Sequence, residues 1–193
     1  MLTIHFALSN ELDYLQKFLV QNGTNQWNYL PEDGINQQFK RLAVGVDYCL
    51  VAKDGEYIVG LTIYCKLGDI PDFFDHHVGR NDVIYVAEVV VNSQWSGKGI
   101  GSTLLKQIAI TAKELGANEL LISRHEQNLA SAGMMRKAGF TELDCFTDPP
   151  TQAGRQSKNL YSQPQLKHIK MGDVALVVLK WILFSNNLII QMK

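Results

Sequence analysis

The stretch "VAEVVVNSQWSGKGIGSTLLKQIAI", Val86 to Ile110, constrains this chain more than any other. A nearly unbroken apolar run carrying one carboxylate, Glu88, breaks into three glycines spaced two apart, Gly97, Gly99 and Gly101, and then resumes with a different period. Ile100, Leu104, Leu105, Ile108, Ala112 and Leu115 recur at intervals of one, three or four, which marks one buried face of a helix that Gly116 can close. A strand that turns through glycine into a helix gathers unpaired backbone N–H groups and the positive end of the helix dipole around one point. That is an anion site, and phosphate is its usual occupant. Glycine suits it because a Cβ would block close approach and because some of these positions call for positive φ.

The rest of the chain reads as one domain with alternating element types. "TIHFAL" is a short strand, and Ser9, Glu11 and the apolar positions Leu12, Leu15, Phe18 and Leu19 predict a capped amphipathic helix. A second helix is expected over "INQQFKRLAV". "DYCLVAKDGEYIVGLTIYCK" predicts a hairpin, two runs rich in aromatic and β-branched residues flanking the tight-turn dipeptide Asp54-Gly55. A polar loop from Gly68 to Asp82 leads to a strand over about Val83 to Val91. After the glycine helix come a buried strand in "NELLIS", a helix in "NLASAGMMRKAG" with Asn128 as N-cap, and a strand in "FTELDCF". A hairpin first and a βαβ crossover later imply an α/β (α+β mixed) fold, a mixed and mostly antiparallel sheet with helices on both faces.

Composition narrows the function classes. Over 193 residues, Lys plus Arg (18) nearly balances Asp plus Glu (19), and the formal net charge of −1 leaves no electrostatic footprint for nucleic acid. Cys49, Cys65 and Cys145 form no C-x-x-C pair, so neither a disulfide framework nor a zinc site is expected, and a reducing cytoplasmic location is. The N-terminus lacks the pattern of a secretory signal. The longest apolar run, Val174 to Ile190, contains Lys180, Asn186 and Asn187 and falls short of the roughly 20 mostly apolar residues of a membrane span.

Two familiar phosphate loops fail on this sequence. A P-loop needs Gly-Lys followed by Ser or Thr, whereas Gly97-Lys98 is followed by Gly99; the dinucleotide fingerprint begun at Gly97 needs glycine at 102, which is Ser. "SGKGIG", Ser96 to Gly101, resembles instead the acetyl-CoA loop of the GNAT family of N-acetyltransferases: Arg or Gln, two residues, Gly, one residue, then Gly or Ala. The match falls at Gly99 and Gly101, with Ser96 where the family has Arg or Gln. "NLASAGMMRKAGF" resembles a second family segment and matches at Asn128, Gly139 and Phe140. The two lie in family order and spacing over about Val83 to Phe146.

The resemblance implies acetyl transfer from acetyl-CoA to an amine, with a small-molecule or peptide amine as acceptor. It implies that the backbone of Gly97, Lys98, Gly99, Ile100, Gly101 and Ser102 holds the pyrophosphate. Val89, Val90 and Val91 would pair with the pantetheine arm, an N–H near Val89 would polarise the thioester carbonyl, and Asn128 would lie beside the arm. Glu88 is the expected base: by strand alternation it shares a face with Ile84, Val86 and Val90, where desolvation would raise its pKa. The alternatives are that this face lines a solvent cleft or that Glu88 is in a structural ion pair. Met135 occupies the place of the family's tyrosine acid and has no proton to donate, leaving Tyr85, Tyr161, Ser131 or water as donors.

His76 and His77, near Asp72, Asp75 and Asp82, are expected in a solvated substrate-side loop rather than at a metal. Trp27, Tyr29, Phe73 and Phe74 are candidates for an acceptor pocket or for core. Residues 1–165 are expected to form the acetyltransferase domain, and 166–193 an apolar extension packed on it or at a dimer interface. "SKNLYSQ" is a candidate closing strand, and Val174 to Ile190 a buried strand or helix or the surface of a homodimer. A non-catalytic acyl-CoA sensor of the same fold is the rival reading, and a nucleotide-binding regulatory domain a third.

Overall fold

A computed structural model describes residues 1–70, 81–147 and 175–182. The elements run β1 (Leu2–Phe6), α1 (Leu12–Gly23), α2 (Glu32–Ala43), β2 (Asp47–Asp54), β3 (Tyr57–Cys65), β4 (Val83–Val91), α3 (Ile100–Glu114), β5 (Glu119–His125), α4 (Leu129–Ala138), β6 (Thr141–Thr147) and β7 (Ala175–Ile182). The seven strands form one sheet in the order β1-β2-β3-β4-β5-β7-β6. The β4–β5 pair is parallel and every other pair is antiparallel. The mixed sheet expected from the order of elements is therefore present, with its one parallel junction where α3 crosses over from β4 to β5.

Helices cover both faces. Leu15, Phe18 and Leu19 of α1 and Ile35 and Phe39 of α2 pack on Cys49, Val51, Leu61, Ile63 and Val90. On the other face Leu104, Leu105 and Ile108 of α3 and Met135 and Ala138 of α4 pack on Leu50, Ile84, Val86, Leu120 and Ile122. Each fully buried Leu or Ile contributes about 2 kcal/mol, so the periodic apolar positions of α1 and α3 account for the docking of both layers.

One local expectation is revised and another is narrowed to one of its alternatives. Ser9 does not cap α1. Ser9–Glu11 forms a short 3₁₀ turn, α1 begins at Leu12, and the Glu11 carboxylate accepts the Leu8 N–H at 3.0 Å and contacts His5 and Lys53. A carboxylate reaching back three residues satisfies the free amide better than a Ser hydroxyl inside the turn. The apolar tail is in part a strand: Ala175–Ile182 is β7, hydrogen-bonded on both edges to β5 and β6. "SKNLYSQ", His76, His77, Phe73, Phe74 and Tyr161 lie outside the described residues. No described helix is long and apolar enough to cross a membrane.

One buried ion pair locks α2 to the sheet. The Asp47 side chain is wholly buried and accepts from Nε and Nη2 of Arg41 at 2.9 and 2.8 Å, while Arg41 also pairs with Asp69 just beyond β3. Removing Arg41 strips the wholly buried Asp47 carboxylate of its guanidinium. Arg41→Ala is expected to lower unfolding free energy by about 3 kcal/mol or more, read as a shift of the urea midpoint at unchanged slope.

Candidate active site

The site is built where two neighbouring strands stop pairing. The β4–β5 ladder runs from Val83↔Glu119 to Val86↔Ile122 and ends there, although β4 continues to Val91 and β5 to His125. Val89–Val91 keep their β3 partners, Thr62, Leu61 and Gly60. Only the side of β4 toward β5 is released, which leaves a strand-wide opening at the carboxyl ends of the parallel pair.

A β-bulge sits at the same point. Tyr64 pairs with Val86 and Ile63 with Glu88, so Ala87 is the extra residue on β4. The bulge corrects the expectation that Ile84, Val86, Glu88 and Val90 share a face. Ile84 and Val86 face α3 and α4, whereas Val90 packs under α1 and Glu88 is opposite Ile63, on the α1 side. One inserted residue reverses the phase of all that follow, because side chains alternate with period two.

Glu88 is half-buried there, and Asn28 Nδ2 donates to its Oε2 at 3.2 Å. Burial pushes its carboxyl up to about 7, against the opposing effect of the Asn28 hydrogen bond. Tyr85 lies on the same side, its hydroxyl 3.1 Å from Ser123 Oγ, and burial raises its phenol well above the usual range. No basic side chain is bonded to Glu88, so the structural ion pair weighed from the sequence is not found among the described residues.

The glycine loop lies on the other side of the sheet. Gly97 and Gly99 have φ of 76° and 80°, the left-handed region that glycine tolerates. Gly99 precedes α3, and the Thr103 N–H and hydroxyl and the Ser102 hydroxyl all converge on its carbonyl at 2.9–3.0 Å. That carbonyl is thereby turned into the helix, and the N–H groups of the first turn point outward from its start. Gly101 is needed for contact rather than conformation: a Cβ there would come within 2.3 Å of Met134 Sδ on α4. Lys137 of α4 also reaches the loop, its Nζ 3.6 Å from where a Cβ on Gly99 would stand. Asn128 caps α4, accepting the Ser131 N–H at 3.0 Å, which leaves its amide NH₂ for another partner. Met135 is buried in the α3–α4 core, and Ser131 Oγ lies 3.8 Å from its sulfur.

Asn28, His125 and Lys137 did not stand out in the sequence. All three reach the site across the fold, and only Lys137 carried a legible cue, its place in the last turn of a helix whose Gly-Phe terminus had been noted. Of the aromatic candidates, Trp27 packs at a tilt against His125 and Tyr29 is exposed. Among the described residues no cluster of three His, Cys, Asp or Glu is placed to hold a metal.

A mixed sheet split beyond a parallel pair, with an anion loop on one side and a perturbed carboxylate on the other, defines an α/β domain. Comparison with known proteins gives the family of this domain. The model of the acetyltransferase (GNAT) family matches residues 13–140, and the chain belongs to that family. It is 24% identical over 104 residues to the thialysine N-epsilon-acetyltransferase of Bos taurus, an alignment spanning 50% of this chain and 56% of that relative. Among solved structures it is similar to yncA of Salmonella typhimurium, solved with its cofactor acetyl-CoA (TM-score 0.66, 19% identity, 96% of this chain and 95% of that one). It is also similar to the ribosomal-protein-alanine N-acetyltransferase of Brucella melitensis (TM-score 0.64, 23% identity, 93% and 99%).

Acetyl-CoA is the cosubstrate of the family, and the residues here fit it. The outward amides at the start of α3, the Lys137 ammonium and the open edge of β4 would supply partners for pyrophosphate and for an amide-bearing arm. Ser96, at the family's Arg or Gln position, would remove one side-chain contact and leave the backbone cradle in place.

Two outcomes are expected. Gly99→Ala forces a Cβ into left-handed backbone at a cost of about 1–2 kcal/mol, and calorimetry should show weakened acetyl-CoA binding. Glu88 has the opposite sign from a salt-bridged acid: the folded chain holds its proton up to about 7 against an ordinary 4.5. Its contribution to stability is therefore present below 4.5 and lost as pH rises through 7. Glu88→Gln should be more stable than the parent chain at pH 8 and should narrow that gap toward pH 4.5, in urea titrations at each pH.

Proposed function

We propose that this chain is an N-acetyltransferase that moves an acetyl group from acetyl-CoA to a primary amine by direct transfer, with Glu88 as general base. The observation that carries the reading is the coincidence of the bulge with the ladder's end, which sets Glu88 beside the released edge of β4.

Acetyl-CoA supplies the activated acyl group as a thioester, and the protein's residues do the rest. The amides of Gly97 to Ser102 anchor the pyrophosphate. Val89–Val91 orient the arm through the free side of β4, and a backbone N–H near Val89 polarises the acyl carbonyl. Glu88, with an affinity for protons close to neutrality, takes one from the acceptor ammonium and frees the lone pair that forms the C–N bond as the C–S bond breaks. The departing thiolate needs a proton that Met135 does not have. Tyr85 on the α1 face and Ser131 on α4 are candidate donors, and thiolate is itself a tolerable leaving group, with thiol pKa about 8.5.

The relatives act on different acceptors by their names, an Nε amine in one and a ribosomal-protein alanine in another, so likeness alone supports the reaction class and not the acceptor. A cytoplasmic setting is consistent with three free cysteines, two of them buried. Homodimerisation remains part of the proposal. Both edges of β7 are occupied, so that strand offers no free edge to a second copy. The second reading, an acyl-CoA sensor without turnover, is favoured by Met135 alone and predicts binding with no thiol release.

The test is thiol release from acetyl-CoA over an amine panel as a function of pH. The parent chain should show kcat/KM rising through a limb near pH 7. Glu88→Gln should lose that limb and about 10²-fold or more of its activity. Equal rates in the two across pH would remove Glu88 from the mechanism.

A further inference from the structure

On the α1 side of the opening, the loop between α1 and α2 bridges the two strands that have parted. Asn28 bonds Glu88 on β4, and the adjacent Trp27 packs at a tilt against His125 at the end of β5, with ring centroids 4.6 Å apart and planes 41° apart. His125 belongs to this side: it follows Ser123 by two residues, and Ser123 bonds Tyr85 on the same face. The two contacts straddle the point where the β4–β5 ladder ends.

The loop is held in this form by its own hydrogen bonds. Asn25 and Asn28 exchange backbone bonds at 3.1 and 3.2 Å, and Asn25 Oδ1 accepts the Trp27 N–H at 2.8 Å while its Nδ2 donates to Gly23 O at 3.0 Å. The end of α1 is seated just as firmly. A Cβ on Gly23 would stand 3.0 Å from Val90 Cγ2 of β4. Trp27 is thus a half-buried aromatic on a rigid turn, fixed by no core cluster but set against a ring across the opening. The His125 ring is oriented too, since its Nδ1 accepts the Gln127 N–H at 3.1 Å. In the neutral imidazole the proton is then on Nε2.

We propose that Trp27 and His125 form the acceptor clasp, an aromatic pair along which an unbranched primary alkylammonium lies with its nitrogen directed at Glu88. The proposal rests on the acetyl-transfer reading and names the acceptor class for it. An indole face attracts an ammonium and packs methylenes equally well. Among the described residues Asn28 bonds Glu88 and no Lys or Arg pairs with it. The clasp offers an aromatic face rather than a fixed cation, so it favours an apolar chain behind the amine over a carboxylate beside it. The chemistry selects an amine at the end of an apolar chain.

The experiment titrates hexylamine and glycine into the CoA-saturated protein by calorimetry and measures steady-state acetylation of the same two amines. Parent, Trp27→Ala and Trp27→Phe chains are compared, with acetyl-CoA affinity measured in each. The clasp predicts hexylamine binding in preference to glycine. Trp27→Ala should raise the Kd and KM for hexylamine about tenfold, with kcat and acetyl-CoA affinity within about twofold, and Trp27→Phe should recover part of the loss. Acetylation with a KM indifferent to Trp27 overturns the clasp and leaves the transferase reading standing. Binding that depends on Trp27 without acetylation does the reverse. No hexylamine binding to the parent chain, or a Trp27→Ala defect that falls on acetyl-CoA instead, also overturns it.

Discussion

The pairing of β4 with β5 stops after Val86↔Ile122, and the arrangement of the site follows from that interruption. A continuous ladder would have closed the sheet and left α3 as an ordinary crossover helix. Because β4 bulges at Ala87 where the ladder ends, the strand changes phase and parts from its neighbour at one place. The released backbone can bind an extended arm, and Glu88 arrives on the opposite face from the residues it alternates with in sequence. The same insertion thus puts the glycine loop on the α3–α4 side and Glu88 on the α1 side, which in the proposed reaction separates phosphate binding from proton transfer.

On each side a glycine leaves room for a close side-chain contact. Gly101 lets α4 lie against the start of α3, bringing Lys137 over the loop, and Gly23 lets α1 end against Val90, bringing the Asn25–Asn28 turn across the opening. The electrostatics are matched to these positions. In the proposed reaction, outward amides and an ammonium would face the anionic end of the cosubstrate, while the proposed base, Glu88, is kept half out of water, its pKa close to neutrality. The departures from the family pattern at Ser96 and Met135 both fall on side chains. The backbone devices, which do most of the holding, are intact.

Much of this was legible in one dimension. The order of elements, the Asp54-Gly55 hairpin, the caps at Asn128 and Gly116 and the anion loop follow from local rules of periodicity, turn chemistry and capping, and those rules act within a few residues of the signal that reveals them. Glu88 was recognisable as anomalous for the same reason, a lone carboxylate in an apolar strand. Its face was misread because alternation assumes an unbroken ladder, and the bulge is a property of the pair β3–β4 rather than of β4. Asn28 and His125 were silent because each meets its site through contacts distant in the chain, as with the sequence separation of 60 from Asn28 to Glu88. The apolar run of the tail was equally ambiguous, since strand and helix cannot be told apart by hydrophobicity when nothing alternates. Its placement as β7, between β5 and β6, depended on finding two open edges. The sequence by itself therefore determined which elements form and which chemistry they carry, since propensity, turn chemistry and hydrophobic period are local. Tertiary structure alone decided where the sheet opens and which groups meet across the opening, because strand register and the reach of a loop depend on partners far away in the chain.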